Sequence, residues 1–226
     1  MTDNPGKTIE GTYLSDELIG GFGDDTISGL EGNDTIDGQA GSDVIYGGDG
    51  DDVIEGNFGN DELYGDSGYD RITDDSGSNI LDGGSGNDNL TSRSLSGNHT
   101  LIGSYGSDYL EATGQIVNLD GGEGDDQLYA YGYINKEGSS SYLEEGEATL
   151  KGGEGSDYIK VESYFTANIE GGSDNDDIDI WKSKDSIVKG EDGNDSIRSE
   201  YSENNKLYGG LGDDTIYIDS HLGIVY

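Results

Sequence analysis

Residues 20 to 73 divide without remainder into six nonapeptides, GGFGDDTIS, GLEGNDTID, GQAGSDVIY, GGDGDDVIE, GNFGNDELY and GDSGYDRIT. They share the template G-x-x-G-x-D-x-U-x, in which U is aliphatic. Gly recurs at positions 1 and 4 because a turn of this tightness needs conformations that a Cβ would obstruct. Three residues around one alternating apolar site make a very short strand, so the physical unit is turn, strand, turn, strand, and two nonapeptides close one coil. Coils stack about 4.8 Å apart in the hydrogen-bonding direction, so roughly ten of them make a rod roughly 50 Å long. Position 8 supplies Leu18, Ile27, Ile36, Ile45, Ile54, Leu63, Ile72, Leu81 and Leu90, and the residue two before each later turn supplies Leu101, Leu119, Leu150, Ile169, Val188 and Leu207. These stack into a thin inner ladder, too narrow to stand alone in a chain that is only 30% hydrophobic and carries 41 glycines.

After residue 73 the period lengthens. The unit DDSGSNILD at 74 to 82 keeps the register but has Asn79 where Asp is expected. Intact turns then begin at Gly83, Gly103, Gly121, Gly152, Gly171, Gly190 and Gly209, spaced by 18 to 20 residues apart from one interval of 31. That spacing is one full coil, so the second half keeps its turns on one edge only. Turns two units apart share an edge. The long edge starts from a degenerate turn at Gly11 and runs through Gly29, Gly47 and Gly65 into the later series. Its position-4 glycines are Gly32, Gly50, Gly68, Gly86, Gly106, Gly124, Gly155, Gly193 and Gly212. Its position-6 acids are Asp16, Asp34, Asp52, Asp70, Asp88, Asp108, Asp126, Asp157, Asp176, Asp195 and Asp214, one unbroken ladder. The short edge has Gly20, Gly38 and Gly56, with Gly23, Gly41 and Gly59, and the acids Asp25, Asp43 and Asp61. In the turn that begins at Gly171, Asp174 replaces the second glycine, which strains that backbone or alters that site.

These units resemble the RTX, or haemolysin-type, nonapeptide repeat G-G-x-G-x-D-x-U-x, over essentially residues 11 to 217. The resemblance implies an all-β fold, a parallel β-roll (a right-handed β-helix or solenoid) of stacked short strands with Gly-Asp calcium turns. It also implies that each Ca²⁺ sits between turns of successive coils on one edge, held by position-6 Asp side chains and turn carbonyls. The glycines and acids of the intact turns are then the expected metal site. One ion per pair of adjacent intact turns gives nine intervals on the long edge and two on the short, roughly eleven ions. The organisation expected is an N-terminal flank at 1–10, a roll with calcium turns on both edges at 11–82, a roll with calcium turns on one edge at 83–217, and a C-terminal flank at 218–226.

Charge and chemistry point the same way. With 49 acidic against 11 basic residues the net charge is −38, at which a chain without counterions repels itself and stays unfolded. Bound cations remove that repulsion. The same charge excludes nucleic acid or anionic membrane as the main partner, since both are polyanions. There is no cysteine, so metal is the remaining staple for an extracellular module of this size. Calcium takes six to eight hard oxygens in irregular geometry, whereas Mg²⁺ demands a near-octahedral shell and keeps its water. Zinc or copper prefers His or Cys. His99 and His221 are the only histidines, neither has a partner at ligand spacing, and both read as surface residues. No twelve-residue loop supplies the ligands of an EF-hand.

Residues 1 to 19 contain no apolar run of signal-peptide length, and no segment is a membrane span, so export requires a route without a cleaved N-terminal signal or a signal elsewhere. An insertion around 130–149, with Tyr129, Tyr131 and Tyr133 alternating as a strand would, leaves the non-metal edge. That edge also carries Tyr164, Phe165, Trp181, Lys182, Lys184 and Tyr201, a cluster able to stack on a polysaccharide or bind a partner protein, or simply to cover the core. Every phased Asp is explained as a ligand and no nucleophile constellation is visible, so no enzyme is expected in these residues. The expected function is a calcium-binding module of a secreted bacterial protein, disordered in low-calcium cytosol and folding on export. The alternatives are an adhesin or polysaccharide-binding module and the non-catalytic tail of a larger secreted enzyme.

Overall fold

The computed structural model describes residues 5–95, 97–132, 146–163 and 166–219. Among these there is no helix, and hence none long and apolar enough to cross a membrane. The chain alternates between two eleven-stranded sheets. One runs from Thr8–Glu10 to Lys206–Leu211, the other from Glu17–Phe22 to Thr215–Asp219, and each strand pairs in parallel with the strands one coil before and after it. This is the parallel β-roll that the repeat requires. Pairing begins at Thr8, which matches Thr26, and so lies inside the segment read as a flank.

Register follows the aliphatic position. In the first sheet Ile27, Ile45, Leu63, Leu81, Leu101, Leu119, Leu150, Ile169, Val188 and Leu207 lie one above another. In the second, Leu18, Ile36, Ile54, Ile72 and Leu90 continue into Leu110, Leu128, Ile159, Ile178 and Ile197. Two facing ladders therefore form the core, buried except at its ends, where Leu18 and Leu207 are only partly covered. The ladder read from the sequence holds all of the first row but stops at Leu90 in the second. Counting seven residues on from Gly103, Gly121, Gly152, Gly171 and Gly190 reaches the remaining five.

The second half compensates for its lost turns. Ala112, Ala130, Val161 and Ile180 pair in one buried column, and Val117, Ala148 and Ala167 in another. Buried apolar area of this kind contributes about 25 cal/mol per Å² without any ion. Strands lengthen in step: Asn98–Tyr105, Ile116–Glu123, Glu147–Glu154 and Thr166–Ser173 each have 8 residues, against 6 in Thr26–Glu31. The insertion is narrower than its sequence suggests, because Gln127–Tyr131 and Glu147–Glu154 are both regular strands of the roll. Tyr133, Tyr164, Phe165 and the terminal HLGIVY lie outside the described residues.

Candidate metal centre

Each intact turn holds its position-6 aspartate in the same way. Asp34 Oδ1 accepts the backbone N–H of Asp16 at 2.7 Å, Asp52 Oδ1 that of Asp34 at 2.7 Å, and Asp70 Oδ1 that of Asp52 at 2.8 Å. The chain of bonds continues through Asp88, Asp108, Asp126, Asp157, Asp176 and Asp195 to Asp214. On the short edge it links Asp25, Asp43 and Asp61 and ends on Asn79 Oδ1 at 3.1 Å. One carboxylate oxygen per turn thus fixes the stacking of coils. The second has nothing to do: Oδ2 of Asp25, Asp34, Asp43, Asp52, Asp61, Asp70, Asp88, Asp108, Asp126, Asp157, Asp176 and Asp195 is buried without a hydrogen-bond partner. These residues are only 1 or 2% exposed. A buried half-satisfied carboxylate costs several kcal/mol in apolar surroundings, roughly, unless a proton or a cation meets it.

The wall opposite each bare oxygen is glycine. A Cβ added at Gly20 would lie 2.5 Å from the carbonyl of Gly38 and 2.7 Å from Asp25 Oδ2; at Gly38 the corresponding atoms are Gly56 O at 3.0 Å and Asp43 Oδ2 at 2.6 Å. Position 1 is therefore glycine for space, since none of these residues has a left-handed φ. Position 4 is glycine for conformation, with Gly32 at φ 119° and Gly41 at φ 146°. Position 2 is left-handed as well: it is glycine in turns such as Gly21 (φ 125°) and Gly48 (φ 109°), but Leu30 (φ 82°) and Gln39 (φ 71°) adopt the same conformation with strain. Asp174 adopts φ 75° in place of the position-4 glycine, so its turn closes with a strained residue and Asp176 stays in the column.

Burial raises several of these carboxyl groups. Desolvation, partly offset by the accepted backbone N–H and reinforced by neighbouring acids of the column, pushes Asp43, Asp52 and Asp88 up to about 6 and Asp70 and Asp157 up to about 7. Asp126 and Asp176 also rise to about 7, for the same leading reason. Among the described residues no three His, Cys, Asp or Glu side chains converge on one point. An ion held here would need turn carbonyls besides the one bare carboxylate oxygen that each turn offers, a donor set that would suit a large hard cation.

The ends of the columns differ. Asp16 is already satisfied, because Thr12 donates to its Oδ2 from both the backbone N–H (2.6 Å) and the hydroxyl (2.8 Å). Lys7 occupies the slot before Asp25: its N–H reaches Asp25 Oδ1 at 2.5 Å and its ammonium group donates to the carbonyl of Gly20. Beyond Asn79 the short-edge column passes to His99, Val117, Ala148, Ala167, Ser186 and Asn205. Ser186 Oγ accepts the Ala167 N–H at 2.9 Å and Asn205 Oδ1 that of Ser186 at 3.0 Å, so neutral side chains take over the stacking bond and leave no bare oxygen. His99 is not the surface residue that its isolation in the sequence suggests. It is fully buried, with Nδ1 2.8 Å from Ser92 Oγ and Nε2 3.1 Å from the Ser94 carbonyl, and desolvation lowers its pKa.

Stacked glycine-walled turns, each presenting one buried and half-satisfied carboxylate, define a cation-binding β-solenoid. The sequence profile of the RTX calcium-binding nonapeptide repeat (4 copies) matches residues 10–45, 31–63, 38–72, 55–90, 102–132 and 201–219, together more than half of the chain. The chain belongs to the RTX calcium-binding nonapeptide repeat family, whose repeat is structural and not catalytic. No curated protein matches it. The matched stretches leave 133–200 between them, yet the acid column runs on there through Asp157, Asp176 and Asp195.

Proposed function

We propose that this chain is the calcium-responsive module of a secreted bacterial protein, disordered where calcium is scarce and folded by the ion after export. The observation that carries the reading is the column of buried Oδ2 atoms without partners. Each ion would take carboxylates from two stacked turns of one edge, such as Asp108 and Asp126 or Asp25 and Asp43, with the carbonyls of the glycine turns between them. About eleven ions follow from one per pair of adjacent turns, most of them on the long edge. Their role is charge neutralisation and folding, and no catalysis is assigned to these residues. Extracellular calcium of about 10⁻⁴ to 10⁻³ M suits sites of this kind. Far-UV circular dichroism tests the reading: Ca²⁺ added to chelated protein at neutral pH should convert coil to β, and equal Mg²⁺ should not. A β spectrum already present in chelator, or an equal response to Mg²⁺, would overturn it.

A second reading rests on a separate surface. A groove of 340 Å³ on the outer face of the second sheet is lined by Lys160, Glu162, Asp179, Ile180, Trp181, Arg198 and Glu200. Trp181 packs edge-on against Tyr201 at 6.1 Å, Lys182 Nζ lies 3.7 Å from the Trp181 ring centre, and Tyr109, Tyr129 and Tyr158 form an aromatic row on the same face. Aromatic faces beside paired charges suit a polysaccharide. Trp181→Ala should abolish retention on a glycan array while leaving calcium-induced folding unchanged; a glycan response that survives the substitution removes this site from consideration.

A further inference from the structure

The short edge does not simply lose its acid after Asp61. In the next turn Asn79 stands at position 6, and Asp74 stands at position 1, where Gly20, Gly38 and Gly56 precede it in the column. Asp74 is 1% exposed. Its Oδ1 accepts the Ser76 N–H at 3.0 Å, and its Oδ2 is buried with no partner. Asp61 is in the same state when ionised: its Oδ1 accepts the Asp43 N–H at 2.7 Å and its Oδ2 has no donor, although the two carboxyl groups are close enough to hydrogen-bond to each other once one of them carries a proton.

The two bare oxygens border one cradle. A Cβ added at Gly56 would collide with Asp74 Oδ2 and lie 2.9 Å from Asp61 Oδ2. At Gly20 and Gly38 the same space is bordered by one aspartate oxygen and one glycine carbonyl. Asp74 thus brings a second anion to a place where the other turns bring a neutral acceptor. Among the described residues no salt bridge reaches it, although Arg71 and Arg93 line the same surface pocket. Asn79 spends its Nδ2 on the Ser76 carbonyl (3.0 Å) and Ser92 Oγ (3.5 Å), and Arg93 pairs with Glu111 at 2.9 Å. Two facing buried carboxylates stay ionised together only with a cation between them; otherwise they share a proton. The neighbouring coils favour the cation. Where this edge has no use for an ion, position 1 holds Ser92, Ala112 and Ala130, and position 6 holds His99, Val117 and Ala148, all without charge. An acid persists only in the coil that adjoins the last Gly-Asp turn.

We propose that Asp61 and Asp74 hold a further divalent cation, the third on the short edge, in a site that takes its carboxylates from positions 6 and 1 of successive turns. The inference rests on the calcium reading above and adds a ligand that the repeat template does not contain. Crystals of the full chain grown with Ca²⁺ and measured at long wavelength should show an anomalous peak between these two side chains, besides those at the regular turns. Asp74→Asn should lose that peak alone, and Asp74→Gly combined with Asn79→Asp should restore one beside the new position-6 acid. Peaks at the regular turns with none at Asp61 and Asp74 would mean a shared proton instead, and would overturn the inference while leaving the calcium reading intact. A peak that survives Asp74→Asn would also overturn it. No peaks anywhere would remove both. The wild-type map decides the question even if a variant fails to fold.

Discussion

In chelator the chain is expected to be coil at about pH 7.5 and to regain β structure, with no metal present, when brought to about pH 4.5. Carboxyl groups of the two columns carry the effect. Asp43, Asp52 and Asp88 are raised from 3.8 to about 6, and Asp70, Asp126, Asp157 and Asp176 to about 7. Burial also raises Asp61, Asp74, Asp108 and Asp195 in the same direction. A group whose folded pKa lies above its unfolded value binds its proton more tightly in the folded state. Its stabilising contribution is complete below the unfolded value and is lost as pH rises through the folded one. For the seven groups raised to about 6 or 7 the window runs from about 4 to about 7, all acting in the same direction, and Asp74, raised to about 9, extends it upward. A proton on Oδ2 removes the charge that calcium would otherwise neutralise. Protons and calcium then compete for the same oxygens, so the calcium midpoint should rise as pH falls through that window. Circular dichroism in chelator from about pH 4 to 8 measures the first effect, with sedimentation to confirm a monomer where the acidic chain approaches neutrality. A pH-independent coil would show that protonation cannot replace the ion, and that ligation itself, not loss of charge, holds the turns.

The regular part of the fold was legible because three residue types recur in phase, each for its own reason. Asp marks the stacking bond, glycine the space or the turn conformation, and Ile or Leu the core. The pattern fades on the short edge of the second half because other interactions assume each role there. Ser186 and Asn205 supply the stacking bond, Val117 and Ala148 fill the cradle, and longer strands add pairing. A serine or an alanine carries no periodic signature, so this column was invisible to template matching. His99 was misjudged for the same reason, since nothing in its immediate sequence says that it lies in line with Asp61 and Asn79. Asp74 was missed for the opposite reason. It breaks the template at a glycine position, and a departure from a repeat reads as decay until the backbone shows which two oxygens it brings together. Left-handed residues such as Leu30 and Gln39 went unseen because the chain tolerates their strain instead of placing glycine there.

Neutralising one acid in the middle of the long edge should do far more damage than neutralising one at its end. In Asp126→Asn the amide oxygen can still accept the Asp108 N–H, now bonded at 2.8 Å to Asp126 Oδ1, as Asn79 does for Asp61 at 3.1 Å. The backbone ladder therefore survives and the substitution removes only charge. Asp126 stands between Asp108 and Asp157, so it would border two of the proposed ion positions, and both would lose a carboxylate. The opposite edge cannot compensate, because its column in this region is Val117 and Ala148. In a stack where each coil touches only its neighbours, weakening two adjacent positions uncouples the coils on either side. The calcium midpoint of folding should rise about tenfold, an effect of about 1.4 kcal/mol, and the single transition should broaden or split. Asp214→Asn removes charge from the last turn, where a partly buried acid would border one proposed ion position and no coil depends on it from beyond among the described residues. Its midpoint should move about twofold or less, with the slope unchanged. Calcium titrations followed by circular dichroism, with hydrogen exchange to locate the coils that open first, separate the two variants. Equal shifts for Asp126→Asn and Asp214→Asn would mean that the ions act independently, and that the roll is a set of separate sites instead of one cooperative column.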